Sequence, residues 1–151
     1  MKPTDKKKAV HIFFTALIIL IADQLFKFLV LKTIPFQFSI QVIPNIFYLT
    51  YIRNYGAAFG LFQNASNLLL WFSVIVVGVI LYIFNKIPKE NFPQIMIGLV
   101  LGGTLGNLID RIRFGYVIDF IDFRIWPAFN AADTAITIGV IGLIIYLIKK
   151  K

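Results

Sequence analysis

Three aspartates stand close together in a part of the sequence that is otherwise strongly apolar: Asp110, Asp119 and Asp133. An aspartate at the centre of a membrane-spanning helix costs about 2.5–3.5 kcal/mol, so a chain this apolar is not expected to carry three without a use. Two carboxyl groups brought together at low dielectric cannot both ionise easily, and they share one proton. Such a pair can act as general base and general acid in one hydrolytic reaction.

Local cations divide the acidic residues into two groups. Asp23 precedes Lys27 by one helical turn, and Asp110 is followed by Arg111, so both acids could form interfacial ion pairs.

Asp119 and Asp133 have no basic neighbour apart from the more distant Arg124, and they are therefore the better candidates for a pair that shares a proton. Asp122 follows Asp119 by three residues, and spacing alone cannot choose between them.

Polar side chains from four segments should meet in one layer. Asn107, Asp110 and Arg111 share a helical face near the end of the third predicted helix, because they are spaced i, i+3 and i+4. Asn130 and Asp133 share the first turns of the fourth. Asp119 is expected in the loop between these helices, and Asp23 lies at similar depth on the first.

The elements that position these groups are predicted to be membrane spans. The 151 residues are 59% hydrophobic with a mean hydropathy of +0.83, above the roughly 45–50% apolar content of soluble domains. Apolar runs predict spans over about 10–31, 67–85, 93–113 and 129–148, each near the roughly 17–25 residues that cross a bilayer. We expect one α-helical membrane domain over 1–151 with four transmembrane helices.

The net charge of +8 does not indicate nucleic-acid binding, because most of the lysines are distributed as expected from the membrane topology. Nine lysines fall at alternate ends of the four runs, which the positive-inside rule places in the cytoplasm together with both termini. The first run is too long for a cleaved signal peptide and is read as a retained anchor. The nine are Lys2, Lys6, Lys7, Lys8, Lys86, Lys89, Lys149, Lys150 and Lys151.

The segment at about 35–62 predicts a small antiparallel β-sheet on the extracytoplasmic side, between the first and second helices. Residues 36–42 alternate apolar and polar side chains, and residues 47–53 are rich in aromatic and β-branched types. Unpaired strand edges exclude this sheet from the lipid core, so it should lie at the interface. In the third helix Gly98, Gly102 and Gly106 predict close approach of another helix.

No cofactor or metal site is expected. Cysteine is absent, and His11 is the only histidine, which excludes disulfides, thiolate sites and multi-histidine metal sites. His11 also lies at the opposite end of the first helix from Asp23.

Five motifs in order resemble those of the signal peptidase II (lipoprotein signal peptidase) family, the membrane aspartic peptidases of bacteria. Each is weak alone, but together they span nearly the whole chain. The matching stretches are Asp23-Gln-x-x-Lys27, Asn54-x-Gly-Ala-Ala-Phe59, Gly106-Asn-Leu-Ile-Asp-Arg111, Val117-Ile-Asp-Phe120 and Phe129-Asn-Ala-Ala-Asp133.

This resemblance implies roles for the polar residues. Asp119 and Asp133 would be the catalytic pair, with Asp122 a bystander. Asn107, Arg111 and Asn130 would position substrate or orient the aspartates, and Asn54 would contact substrate from the sheet. Asp23, Lys27 and Asp110 would support the site structurally.

The resemblance also implies a substrate and a location. The substrate would be a prolipoprotein whose cysteine carries a diacylglyceryl group, and the cut would fall directly before that cysteine. The enzyme would lie among the lipids of the bacterial cytoplasmic (inner) membrane, with its site toward the extracytoplasmic face. Separately from the resemblance, we expect a monomer.

Two other interpretations compete with this one. A presenilin-like intramembrane protease carries a Gly-x-Gly-Asp element on a helix, and this chain has none. A small ion- or proton-coupled membrane protein could use the aspartates as a relay, but it needs a polar path to the cytoplasm. The cytoplasmic halves of the predicted spans are nearly all apolar.

Overall fold

The structure is a computed structural model and describes residues 3–56 and 65–150. The motif residues Ala57, Ala58 and Phe59 and the terminal lysines Lys2 and Lys151 lie outside the described residues. A 3-10 turn at Phe84–Lys86 follows the second helix. The elements are α1 Pro3–Thr33, β1 Ser39–Ile43, β2 Phe47–Asn54, α2 Ser66–Tyr82, α3 Asn91–Phe114, β3 Val117–Asp122 and α4 Ala131–Lys149.

The four helices confirm the predicted helical membrane fold. Three of them contain stretches long and apolar enough to cross a bilayer, namely Lys6–Thr33, Asn91–Phe114 and Ala131–Lys149. The second, Ser66–Tyr82, is apolar but has only 17 residues, at the lower limit of what spans a hydrocarbon core. Large apolar side chains cover the exposed faces of α1, α2 and α4, as expected for surfaces that contact lipid.

The third helix is the centre of the bundle and contacts α1, α2 and α4. Its glycines allow the close approach predicted from their spacing. A Cβ atom added at Gly102 would lie 2.5 Å from the backbone oxygen of Ala16 on α1. On another face, Gly103 lies against the backbone of Ala132 on α4. Because the neighbouring atoms are backbone, a side chain at either position would force the helices apart.

The sheet has three antiparallel strands in the order β1-β2-β3, one more than predicted. The third strand pairs Asp119 with Ile52 and Val117 with Asn54. The prediction that Asp119 lies in a loop is therefore wrong. The reason is that Val117–Asp122 is covered on both faces, so the period-2 alternation that identifies a half-exposed strand is missing.

The end of the bundle opposite the aspartates is fastened by a separate set of contacts. His11 Nδ1 lies 2.8 Å from Gln94 Oε1, and the Gln94 amide donates to the Pro88 carbonyl at 2.9 Å. Lys150 pairs with Glu90 at 3.2 Å. These bonds join the start of α1, the α2–α3 turn and the end of α4. His11 therefore connects α1 to α3 at the end of the bundle opposite Asp119 and Asp133.

We expect Gly102→Ala to destabilise the protein by about 1–3 kcal/mol, because the added methyl group overpacks the α1–α3 contact. The measurement is thermal or SDS-induced unfolding in detergent micelles. Gly78→Ala on α2 is the matched control, since a Cβ there meets nothing within 4 Å. The control should be neutral or slightly stabilising, by up to about 1 kcal/mol. Equal losses in the two variants would contradict the packing argument.

Candidate active site

Asp119 and Asp133 meet at Asn130, the residue that caps α4. The Asn130 side-chain amide donates to Asp119 Oδ1 at 2.8 Å, and its backbone N–H donates to Asp133 Oδ2 at 3.3 Å. The Asn130 side-chain oxygen accepts from the Asp133 backbone N–H at 2.9 Å, which completes a capping box. The start of one helix therefore fixes the positions of both carboxyl groups.

Three asparagine side chains donate to the two carboxyl groups. Asn54 donates to Asp119 Oδ2 at 2.9 Å, and Asn107 donates to Asp133 Oδ1 at 2.8 Å. Asn130 supplies the third donor, to Asp119. Each carboxyl group thus receives a hydrogen bond on both of its oxygens. These bonds orient the carboxyl groups and stabilise their charged forms.

The oxygen of each of these side-chain amides accepts a hydrogen bond from another group. That bond fixes the amide with its nitrogen toward an aspartate. Lys27 Nζ donates to Asn107 Oδ1 at 3.0 Å, and the Gly56 backbone N–H donates to Asn54 Oδ1 at 2.9 Å. The Asn130 oxygen is held by the cap bond. A flipped amide would place two donors or two acceptors face to face, so the orientation of each amide is unambiguous.

Behind Asn107, a buried lysine is paired with two carboxylates. Lys27 Nζ lies 2.8 Å from Asp23 Oδ2 and 2.9 Å from Asp110 Oδ2. The Asp23 and Asp110 oxygens also accept backbone N–H groups, from Ala132 at 2.9 Å and from Ile118 at 3.1 Å. The cluster therefore joins α1, α3, β3 and α4. The expected pairing of Asp23 with Lys27 is confirmed.

The expected pairing of Asp110 with Arg111 is wrong, because Asp110 bonds to Lys27 and also receives the Gln24 amide at 2.9 Å. Adjacent residues on a helix point about 100° apart, and Asp110 faces α1 while Arg111 turns to the other side. Sequence reasoning gave Gln24 no role. Its position beside Asp23 in the first motif was the available signal.

A cleft of about 500 Å³ opens beside the pair. Asp133 lines it directly. Asp119 is only 2% exposed and lies one hydrogen bond from the cleft, behind Asn54.

A second cavity of about 370 Å³ lies among α2, α3 and α4 and shares Asn107, Arg111, Asp133 and Ile136 with the cleft. Its other lining residues are Leu69, Phe72, Ser73, Val76, Val100, Thr104 and Val140.

Arg111 lines both cavities, and its Nε atom is buried without a hydrogen-bond partner. Buried polar groups are nearly always satisfied, so an unsatisfied donor beside a cleft is available to a bound molecule. Among the predicted site residues, Arg111 is thus the one with a buried side-chain donor that lacks a partner.

The pKa of Asp119 is raised from 3.8 to about 7, mainly because the carboxyl group is buried and also because the negative charge of Asp133 lies nearby. The hydrogen bonds from Asn54 and Asn130 oppose the shift. A carboxyl group with this pKa gains and loses its proton near neutral pH, which is the property required of a general acid or base.

Asp122, which spacing could not separate from Asp119, is bound elsewhere. Its oxygens contact the Arg124 backbone N–H at 2.8 Å and Arg124 Nε at 3.4 Å. Residues three apart in a strand face opposite sides of a sheet, which explains why Asp119 and Asp122 have different partners.

In residues 3–56 and 65–150, no group of three or more His, Asp or Glu side chains could hold a metal ion.

Comparison with known proteins identifies the family. The sequence profile of signal peptidase (SPase) II matches residues 15–149. The chain belongs to the signal peptidase II family. The family predicted from five motifs is therefore confirmed, and its members are aspartic peptidases.

Relatives in this family match over most of their length. A lipoprotein signal peptidase of Halothermothrix orenii is 43% identical over 136 residues, covering 90% of this chain and 94% of its own. One of Moorella thermoacetica is 46% identical over 129 residues, covering 85% and 86%. A bacterial membrane enzyme solved by the in meso method at 2.3 Å superimposes with a TM-score of 0.85 at 38% identity, covering 90% of this chain and 86% of that one.

We expect Lys27→Met to destabilise the protein by about 3–5 kcal/mol, because it leaves Asp23 and Asp110 buried and unpaired. Unfolding in detergent, followed by circular dichroism, measures the change. Lys32→Met in the same helix is the control, since Lys32 is exposed and its loss should change stability by less than about 0.5 kcal/mol. A Lys27→Met variant as stable as the control would show that the cluster does not hold the helices together.

Proposed function

We propose that this chain is an aspartic endopeptidase that removes the signal peptide from diacylglyceryl-modified prolipoproteins, cutting directly before the lipidated cysteine. The observation that carries the proposal is the convergence of Asp119 and Asp133 on Asn130, beside an open cleft. The relatives named lipoprotein signal peptidase supply the substrate class. The rival function, an ion- or proton-coupled membrane protein, is not favoured by this family.

In the proposed mechanism the two carboxyl groups hold one proton between them. The ionised member removes a proton from a water molecule, whose oxygen attacks the scissile carbonyl carbon. The protonated member then gives its proton to the amide nitrogen as the carbon–nitrogen bond breaks. The products are a carboxylic acid and an amine, and the pair again holds one proton. Asp119, with its raised pKa, is suited to hold that proton near neutral pH.

The substrate would be held by the polar groups that line the cleft. The unpaired Nε of Arg111 would donate to a substrate carbonyl. Asn54 lines the cleft and donates to Asp119. If a substrate carbonyl accepted the Asn54 amide, the Oδ2 atom of Asp119 would be released for the reaction. Asn107 and Asn130 would keep the aspartates oriented meanwhile.

The position of the site suits a substrate that is anchored in lipid. Such a substrate holds its scissile bond at a fixed depth, and a catalytic pair at the same depth gains from proximity without a deep soluble cleft. The second cavity, among α2, α3 and α4, shares Asp133 with the cleft and would provide a lateral route for the signal helix from the bilayer.

We further propose four transmembrane spans with both termini in the cytoplasm and the site toward the extracytoplasmic face of the bacterial cytoplasmic (inner) membrane. The start of α1, the α2–α3 turn and the end of α4 meet at one end of the bundle. Lysines concentrate at that end, as the positive-inside rule requires of a cytoplasmic surface. We propose a monomer, because one chain supplies both aspartates and all three asparagines that orient them.

Asp119→Asn and Asp133→Asn should each reduce kcat by at least about a hundredfold, since each removes one partner of the acid–base pair. The assay follows cleavage of a diacylated prolipoprotein in membranes or mixed micelles. Glu90→Gln, which removes an exposed carboxylate at the far end of the bundle, should leave turnover unchanged. Unimpaired cleavage in both aspartate variants would refute the proposed function.

The rate of cleavage should fall as pH rises through about 7, because Asp119 then loses the proton that the pair must hold. Asn54→Ala removes a hydrogen bond that favours the charged form, so the pKa should rise and the alkaline decline should move to higher pH. A profile of kcat/KM against pH for both proteins measures this. A decline that stays in place, or moves to lower pH, would contradict the assignment to Asp119.

A further inference from the structure

Asp122 is a buried acid that the proposed reaction does not use. It ends β3, is 7% exposed and has both carboxyl oxygens in contact with Arg124. A buried carboxylate is retained only where it is paired, and here the partner lies two residues further along the chain. The pair therefore fixes the conformation of the chain just after the strand that carries Asp119.

Arg124 makes three contacts with two residues, Asp122 and Tyr48. Its backbone N–H and its Nε atom contact Asp122, and its guanidinium carbon lies 4.0 Å from the centre of the Tyr48 ring. Tyr48 is the cross-strand partner of Asp122 on β2. The φ angle of Arg124 is 65°, a left-handed conformation that residues other than glycine rarely adopt. These contacts, one from the backbone and two from the side chain, hold Arg124 in that conformation.

The segment that begins here forms a wall of the cleft. Residues 123–129, which we call the wall loop, contribute Trp126, Pro127, Ala128 and Phe129 to the cleft lining. The far end of the loop is fixed by two backbone hydrogen bonds between Phe129 and Ile121, at 2.8 and 3.0 Å. Asp122 and Arg124 fasten the near end. The position of the wall is thus defined at both ends by β3.

We propose that Asp122, Arg124 and Tyr48 are positioning residues that set the place of the wall loop and thereby the affinity of the cleft for its lipid-bearing substrate. This inference rests on the proposed function. The four lining residues of the wall are mainly apolar, which suits contact with the apolar parts of a lipidated peptide. Such contacts are made equally in the ground state and the transition state, so their loss raises KM and leaves kcat unchanged.

The test compares Asp122→Asn and Arg124→Gln with matched controls. Asp122→Asn keeps an oxygen for the Arg124 N–H and removes the charge, whereas Arg124→Gln removes the ion pair and the stacking on Tyr48. Arg113→Gln is the control for arginine loss, because Arg113 also stacks on a ring, Phe114 at 4.8 Å, and does not line the cleft. Glu90→Gln, which removes an exposed carboxylate paired with Lys150 at the far end of the bundle, is the control for carboxylate loss.

We expect KM for a diacylated prolipoprotein to rise about threefold to tenfold in Asp122→Asn and Arg124→Gln, with kcat within about twofold of wild type. The two controls should retain the wild-type KM. An unchanged KM in both test variants would overturn the proposal. A collapse of kcat to the level of Asp119→Asn would also overturn it, since Asp122 would then take part in the chemistry.

A second measurement tests the position of the wall loop in the absence of substrate. Trp71 and Trp126 are the only tryptophans, so a Trp71→Phe background reports Trp126 alone. Its fluorescence quenching by acrylamide should change in Asp122→Asn and Arg124→Gln and stay constant in Arg113→Gln, while circular dichroism confirms the fold. Unchanged quenching would overturn the positioning role. If wild type cleaves no lipidated substrate, the proposed function fails, but this readout still decides whether the pair positions the wall.

Discussion

The geometry of the candidate active site depends on one buried cation, the Lys27 ammonium group. Lys27 is 2% exposed, and the two carboxylates that neutralise it are 0% and 1% exposed. Charge so deeply buried is tolerated only when every partner is in place, so the helices that supply Asp23, Lys27 and Asp110 have little freedom to shift. The same ammonium group also bonds to Asn107, which in turn bonds to Asp133. The position of a catalytic candidate is therefore tied to the interior of the bundle through two hydrogen bonds.

The glycines of α3 make this cluster possible. At Gly106 an added Cβ atom would lie 2.5 Å from Asp23 Oδ2, so the acidic side chain occupies space that any larger residue would fill. Gly102 and Gly103 bring α1 and α4 to two different faces of the same helix. Close backbone approach is the usual means of association among helices in lipid, where burial of apolar surface gives little advantage. Here that close packing also shortens the distance between the polar groups.

Much of this could be read from the sequence, and the failures have specific physical causes. Apolar length and lysine placement predicted four helices, and spacing grouped Asn107 with Asp110 and Asn130 with Asp133. The strand Val117–Asp122 was missed because burial on both faces removes the alternation that marks a strand. The partner of Asp110 was misassigned because Lys27 is 83 positions distant in the chain. Long-range pairings of this kind leave no local periodicity, and the resemblance to family motifs does not indicate them.

The capping box at Asn130 gives one pair of side chains two duties. The carboxyl group proposed for hydrolysis also closes the first turn of α4, and the asparagine that orients Asp119 is the cap itself. Activity and helix stability therefore share some of the same atoms. A descendant that abandoned the reaction and lost the Asp133 carboxyl group would also lose the bond from the Asn130 backbone N–H, and only the bond from the residue 133 backbone N–H to the Asn130 side chain would remain to cap the helix.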